Sequence, residues 1–189
     1  MTTMQICSLI WTALLLVWVI AWLRTKRTQE RAPFVSRLAY GVPVALGSWL
    51  LFSDNLPFTW LQSHIIPKNI YTDAAAITVT GLGIAFAIWA RFYIGQNWSS
   101  AVTVKVGHEL IRTGPYAWVR HPIYSGIILG MVGTAIARRE PRGFFSVILI
   151  WLGFLIKSRM EEKFMRKTFG EQYEEYSQST GALIPRLRM

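Results

Sequence analysis

The chain has 189 residues, of which 52% are hydrophobic and 16% charged, with nine tryptophans and a net charge of +10. This composition excludes an ordinary water-soluble globule, because the core of one small domain cannot bury so many apolar side chains. The apolar residues come in blocks, and about 20 of them in a helix span the ~30 Å hydrocarbon layer of a bilayer. We therefore predict an all-α polytopic membrane protein with about five transmembrane helices.

The N-terminal half contains three apolar blocks, which predict spanning helices at residues 6–23, 38–52 and 74–93. The first block is followed by a basic cluster and has no small-residue cleavage site, which argues against a cleaved signal sequence. Gly81 and Gly83, in the third block, are candidate points of close helix packing. The connection at 53–73 carries aromatic residues that favour a position at the level of the lipid headgroups.

Two shorter apolar blocks, 123–137 and 144–156, predict a final helical hairpin with a tight turn between them. Gly126, Gly130 and Gly133 are three or four residues apart, so they share one helix face. Small residues on one face allow a neighbouring helix to approach closely.

The basic residues lie beside the membrane segments and form no separate patch, so we expect membrane lipids and no nucleic acid as partners. The positive-inside rule places residues 24–37, 91–122 and the tail after Lys157 in the cytoplasm, with the N-terminus outside. Three arginines of the hairpin turn then face outward against that rule, unless the hairpin does not fully cross: Arg138, Arg139 and Arg142. The single cysteine, Cys7, excludes a disulfide framework and a cysteine-based metal site, and we predict no metal.

The densest polar stretch lies between the third block and the hairpin, at residues 95–124. It holds two of the three histidines, and Gly114-Pro115 and His121-Pro122 fix sharp backbone geometry just before a helix. Pro122 suits the first turn of that helix. Arg120 and His121 also have a plainer interpretation as interfacial anchors within an aromatic belt. The combination of a Gly-Pro-Tyr turn with paired histidines favours a ligand site.

A second charged cluster follows the last apolar block. Lys157 and Glu161 are four residues apart, on one helix face at the membrane exit, where unpaired charge is unfavourable. A charged ligand there would bind Glu161 through an amine and Lys157 through a carboxylate. We interpret the remaining charges as a solvated amphipathic helix with ordinary ion pairs: Glu162, Lys163, Arg166, Glu171, Glu174 and Glu175. The chain has no phosphate-binding loop, zinc-protease motif or dinucleotide fingerprint, and a Rossmann-type cofactor domain has no room.

Taken in order, the two clusters resemble the isoprenylcysteine carboxyl methyltransferase family and the related membrane phospholipid methyltransferases. The matching pattern covers about residues 95–186, and the N-terminal helices match only in being hydrophobic. It reads His108-x-Leu110-Ile111-x-Thr113-Gly114-x-Tyr116, then Arg120-His121-Pro122-x-Tyr124-x-Gly126, then Glu161-Glu162, Phe169-Gly170, Tyr173, Tyr176 and Leu183-Ile184-Pro185.

The resemblance implies transfer of a methyl group from S-adenosylmethionine, held in a cytoplasmic pocket, to a lipidic acceptor that enters from the bilayer. Glu161 would bind the amino group of the donor. The residues implied to line the donor pocket are His108, Glu109, Leu110, Ile111, Tyr116, His121, Pro122, Ile123 and Tyr124.

The acceptor stays open at this point. Lys157 stands where the family usually has an arginine facing the acceptor carboxylate, and a lysine lacks the planar two-pronged match to that group. The acceptor is then either the carboxylate of an isoprenylcysteine-like molecule or the amine of a phospholipid. An amine would have to lose a proton, for which His121 is the candidate base.

We treat residues 1–189 as a single membrane methyltransferase domain, with N-terminal helices at 1–94 and the catalytic half at 95–189. Two other classes remain open: a nicotinamide-dependent membrane reductase with a related hairpin, and a non-enzymatic membrane scaffold. The compact length and short loops favour a prokaryotic inner membrane, and the oligomeric state is not predicted.

Overall fold

The computed structural model describes residues 1–22, 28–31, 34–54, 56–95, 98, 103–105 and 110–186. The described residues form six α-helices: α1 (Thr3–Trp22), α2 (Phe34–Phe52), α3 (Ile70–Ile94), α4 (Pro122–Arg138), α5 (Pro141–Phe169) and α6 (Glu171–Ser179). They also form short 3-10 turns at Thr59–Gln62 and Gly114–Ala117, and two short strands, β1 (Thr28–Arg31) and β2 (Thr103–Lys105).

Four of these helices, α1, α2, α3 and α5, are long and apolar enough to cross a membrane, and α4 is a shorter apolar helix of 17 residues. The predicted all-α architecture and its final hairpin, α4 and α5, are thereby confirmed. The last apolar block, predicted to end at residue 156, belongs to a helix that continues to Phe169. The small antiparallel pair of β1 and β2 was not predicted, and it joins the α1–α2 and α3–α4 connections at one end of the bundle.

Helix α3 packs against α4 through small residues. A methyl group at Gly126 would lie 2.6 Å from the carbonyl oxygen of Gly83, and one at Gly133 would lie 2.5 Å from Oγ1 of Thr80. The predicted roles of these glycines in close packing are confirmed. The prediction for Gly81 is wrong, because a methyl group there would meet nothing within 4 Å.

Helix α2 packs antiparallel against α5. Near the hairpin turn, Ser146 Oγ donates a 2.7 Å hydrogen bond to the carbonyl oxygen of Gly47. Two turns further along α5, a methyl group at Gly153 would lie 2.6 Å from Val44 Cγ2 and 2.9 Å from the carbonyl oxygen of Tyr40. The beginning of α2 therefore lies beside the middle of α5.

The hairpin turn lies at the opposite end of the bundle from β1 and β2, and its three arginines are paired. Each contacts a carboxylate: Arg138 pairs with Asp54, Arg139 with Asp73 and Arg142 with Glu140. Arg138 and Arg142 also donate hydrogen bonds of 2.7 and 2.6 Å to the carbonyl oxygen of Ser53. These partners neutralise the positive charge of the arginines within the folded turn.

Candidate active site

The polar loop before α4 is fixed to α3 by its Gly-Pro-Tyr turn. Gly114 has a φ of +58°, and a methyl group there would lie 2.6 Å from ring atom Cε2 of Tyr93. Only glycine fits both the left-handed backbone and the ring beside it. Tyr116 is buried with its hydroxyl 3.4 Å from the carbonyl oxygen of Ala90, and the Tyr93 hydroxyl donates to Thr113 Oγ1 at 2.8 Å. The loop therefore enters α4 in a defined position.

The segment after α6 runs along the beginning of α4 and holds its backbone. The amide of Arg120 donates to the carbonyl oxygen of Gly181 at 2.8 Å, and the amide of His121 to that of Ala182 at 3.0 Å. Ser125 Oγ donates to the carbonyl oxygen of Leu183 at 2.7 Å, and the Leu183 side chain is buried in the core. The C-terminal segment thus positions Arg120 and His121 from about 60 residues away in sequence.

Glu162 is the centre of a buried ion pair. Arg120 donates to Glu162 Oε1 through Nε at 2.9 Å and Nη2 at 2.6 Å, and His121 Nε2 lies 3.2 Å from the same oxygen. Arg120 also donates to the carbonyl oxygens of Ser177, at 2.9 Å, and Thr180. Glu162 is 7% exposed. The prediction that Glu162 lies on a solvated helix face is wrong. Helix α5 continues past the membrane exit, and this part of the helix packs the Glu162 carboxylate against the residues at the beginning of α4.

Glu161 is the second carboxylate of the cluster. Its Oε1 accepts a 2.6 Å hydrogen bond from the Tyr124 hydroxyl, and its Oε2 lies 3.5 Å from His121 Nδ1. The His121 ring therefore stands between the two glutamates and stacks on Tyr124, with centroids 5.5 Å apart and an interplanar angle of 6°. Tyr124 in turn stacks on Phe154 at 4.7 Å. This stack holds the carboxylate of Glu161 in one orientation.

The surroundings of His121 favour its charged form. Burial lowers the pKa of His121, but hydrogen bonds to Glu161 and Glu162, together with their negative charges, outweigh that effect and raise the pKa above its ordinary value. Because both ring nitrogens face carboxylate oxygens, the imidazolium can donate to each of them.

Lys157 lies one turn before Glu161 and is attracted electrostatically by it. Its Nζ is 5.1 Å from the centroid of the Tyr124 ring and 5.4 Å from that of the Tyr40 ring. Aromatic faces at this distance attract an ammonium group. The lysine head therefore lies between α2 and α4, beside the carboxylate cluster.

The structure describes five of the other predicted pocket residues: Leu110, Ile111, Tyr116, Pro122 and Ile123. Pro122 occupies the first turn of α4 as predicted, and both it and Ile123 are buried. Leu110 and Ile111 are half-buried, and Ile111 packs against the core. His108 and Glu109 lie outside the described residues. In the part of the chain that the structure describes, no group of three or more His, Cys, Asp or Glu residues is arranged to hold a metal ion.

The cluster fits a ligand that carries a cationic amine. A carboxylate has about four acceptor positions, and the Tyr124 and His121 contacts of Glu161 use two of them. The Glu161 side chain is 18% exposed, so it remains accessible from one side. An ammonium group would complete its coordination, while Lys157 offers a cation to an anionic group nearby.

Comparison with known proteins finds a matching family and several similar proteins. The sequence model of a family described as phospholipid methyltransferase matches residues 71–172. The chain is 33% identical over 94 residues to protein-S-isoprenylcysteine O-methyltransferase of Saccharomyces cerevisiae, covering 48% of this chain and 39% of that protein. It is 33% identical over 131 residues to protein-S-isoprenylcysteine O-methyltransferase B of Arabidopsis thaliana, covering 68% of this chain and 64% of that protein.

A solved structure, that of a eukaryotic intramembrane Ras methyltransferase named isoprenylcysteine carboxyl methyltransferase, superimposes with a TM-score of 0.56 and 24% identity. The match covers 77% of this chain and 52% of that one, and it establishes the fold. The chain spans less than two thirds of the length of each of these three proteins. The region matched by the family contains α4, all of α5 with Glu161 and Glu162, and α3 except for its first residue, whereas α1 and α2 lie outside it.

Proposed function

The chain belongs to the phospholipid methyltransferase family and is an integral multi-pass membrane protein, and from this premise we propose that it is an S-adenosylmethionine-dependent membrane methyltransferase. Its proposed acceptor is lipidic, namely the carboxylate of an isoprenylcysteine-like molecule. The observation that carries this proposal is the His121, Tyr124 and Glu161 cluster, which lies beside the Lys157 ammonium in the second half of α5.

On the donor side, the Glu161 carboxylate would accept the amino group of S-adenosylmethionine. Tyr124 and His121 hold that carboxylate in place, and the buried stack on Phe154 prevents its rotation. The other predicted pocket residues would surround the donor: His108, Glu109, Leu110, Ile111, Tyr116, Pro122 and Ile123. When bound, the donor supplies an electrophilic methyl group on a sulfonium centre.

On the acceptor side, Lys157 would bind the anionic group. It follows Pro141, the first residue of α5, by 16 residues, which is ~24 Å along a helix and within the ~30 Å hydrocarbon layer. A lipidic acceptor can reach this depth laterally from the bilayer. Its carboxylate is already ionised at neutral pH, so the residues around it need only align it and exclude water.

The state of His121 favours a carboxylate acceptor over a phospholipid amine. An amine acceptor must lose a proton, and a base that accepts the proton needs a free lone pair. Both ring nitrogens of His121 face carboxylate oxygens, and these raise its pKa. These contacts favour the protonated ring, which donates to Glu161 and orients it. We place the site on the cytoplasmic side of a prokaryotic inner membrane, because the basic segments at 24–37 and 91–122 and the basic tail after Lys157 favour that orientation under the positive-inside rule.

The test is methyl transfer from tritiated S-adenosylmethionine to three acceptors by the detergent-purified protein. These are S-farnesyl-N-acetylcysteine, the same molecule with its carboxylate replaced by an amide, and phosphatidylethanolamine. We expect base-labile ester radioactivity with the first acceptor alone, and its loss in Glu161→Gln. Base-stable labelling of phosphatidylethanolamine would overturn the carboxylate assignment, and transfer to none of the three would overturn the proposed acceptor class.

A further inference from the structure

We propose that Tyr40, on α2, is a positioning residue for the acceptor: its ring and that of Tyr124 direct the Lys157 ammonium toward the acceptor's anionic group. This inference rests on the proposed function and extends it to a helix outside the region that the family matches, which begins at residue 71.

The geometry brings three elements together at one cation. Lys157 comes from α5, Tyr124 from α4 and Tyr40 from α2, with Nζ 5.1 and 5.4 Å from the two ring centroids. A lysine head is a flexible point charge without the planar fork of arginine, so its direction must come from its neighbours. Two rings on different helices supply that constraint.

The packing of α2 against α5 brings Tyr40 within reach of Lys157. Gly153 lies one turn before Lys157, and a methyl group there would be 2.9 Å from the carbonyl oxygen of Tyr40. Any larger residue at 153 would move the first part of α2 away from α5. The close contact at Gly153 therefore fixes the distance between the Tyr40 ring and the ammonium.

Tyr40 also lies at the right depth for a lipid-borne group. It follows Phe34, the first residue of α2, by six residues, or ~9 Å of helix. Because α2 and α5 are antiparallel, this position faces the middle of α5, at Gly153 and Lys157. Tyr40 is half-buried and interacts electrostatically with Glu161 and Arg37. It therefore borders the charged cluster on one side and the lipid on the other.

The test separates the ring from the hydroxyl with Tyr40→Leu and Tyr40→Phe. Binding of S-farnesyl-N-acetylcysteine is measured by calorimetry with S-adenosylhomocysteine at saturation, and acceptor KM and kcat are measured by the methyl-transfer assay. Loss of a desolvated cation–ring contact predicts acceptor binding weakened about tenfold to thirtyfold in Tyr40→Leu, with a matching rise in KM. The Kd of S-adenosylhomocysteine stays within about twofold, and Tyr40→Phe recovers most of the lost affinity.

A matched control is Trp49→Leu, which removes an exposed aromatic ring from the same helix, away from Lys157. It should leave the binding of both ligands unchanged. Unchanged acceptor binding in Tyr40→Leu would overturn the inference, as would equal losses in Tyr40→Leu and Tyr40→Phe. A parallel loss of acceptor and S-adenosylhomocysteine binding would also overturn it, since that indicates a general distortion. If the parent protein binds S-adenosylhomocysteine but not the farnesylated acceptor, the proposed acceptor itself is wrong, and the role of Tyr40 falls with it.

Discussion

Replacing Arg120 with alanine leaves the Glu162 carboxylate buried without its principal cation. The two side chains are 11% and 9% exposed, so solvent screens their interaction little. Removing one partner of a buried ion pair destabilises a protein by about 3–5 kcal/mol, because the remaining charge stays desolvated. The predicted effect of Arg120→Ala is therefore a loss of about 3–5 kcal/mol from the free energy of unfolding.

Removing both charges should be milder than removing the arginine alone. In the double variant Arg120→Ala/Glu162→Gln no buried carboxylate is left unpaired at position 162. The double variant still lacks the hydrogen bonds from Arg120 to the carbonyl oxygens of Ser177 and Thr180, which together contribute about 1–3 kcal/mol. We expect it to be more stable than Arg120→Ala by about 2 kcal/mol.

The single cysteine provides the assay. Cys7 is fully buried in α1, with its Sγ 3.6 Å from Thr80 Oγ1 on α3. A maleimide dye that fluoresces on reaction with a thiol therefore reports the separation of these helices on heating. For a chain of this size 1 kcal/mol corresponds to a shift of about 2–4 °C, so Arg120→Ala should lower the Tm by about 6–20 °C, and the second substitution should restore about 4–8 °C.

The reasoning is refuted if Arg120→Ala melts within about 2 °C of the parent. It is equally refuted if adding Glu162→Gln lowers the Tm further, since the two residues would then contribute independently. Lys163→Gln, which removes an exposed neighbouring charge, is the matched control and should leave the Tm unchanged.

Three further predictions use the same thermal assay, and the last also uses S-adenosylhomocysteine binding. Because the folded-state pKa of His121 is raised above its ordinary value of 6.5, its stabilising contribution is complete below pH 6.5 and disappears as the pH rises through the higher folded value. The Tm difference between parent and His121→Gln should shrink over that pH interval. A difference that does not change with pH would contradict the raised pKa of His121. Gly126→Ala should destabilise by about 1–3 kcal/mol through overpacking against α3, whereas Gly41→Ala, with open space around it, should not. Leu183→Ala should cost about 2–5 kcal/mol and weaken S-adenosylhomocysteine binding, whereas the exposed Ile184→Ala should do neither.

The sequence pattern predicts the fold because each helix carries its own signal. Runs of apolar residues locate α1 to α5 within a few residues at most ends, and the glycine spacing in α4 predicts the face that meets α3. The end of α5 was missed, because beyond residue 156 the apolar signal stops although the helix continues. The strands β1 and β2 have four and three residues, too few for an alternating pattern to appear.

The candidate site was predicted only in part, because its pairings join distant segments. The motif residues His121, Tyr124 and Glu161 do come together as the resemblance implied. Glu162 was misplaced, since helical periodicity shows only that neighbouring glutamates point about 100° apart. It does not show that Arg120, just before α4, is the cation that pairs with the second glutamate. Tyr40 carried no signal at all, because one tyrosine in an apolar block is indistinguishable from a lipid-facing residue.

The most direct test of a donor site at Glu161 is calorimetric binding of S-adenosylhomocysteine to the detergent-purified protein and to its Glu161→Gln variant. A hydrogen bond to a charged group contributes about 1.5–3 kcal/mol, so we predict saturable 1:1 binding that the variant weakens about tenfold to 150-fold. Glu171→Gln, which changes an exposed glutamate at the start of α6, should bind like the parent. Two results would contradict the assignment of this cluster as the donor site. One is absence of binding in parent protein that is folded, as shown by a cooperative thermal transition in the Cys7 labelling assay. The other is equal affinity of the parent and Glu161→Gln.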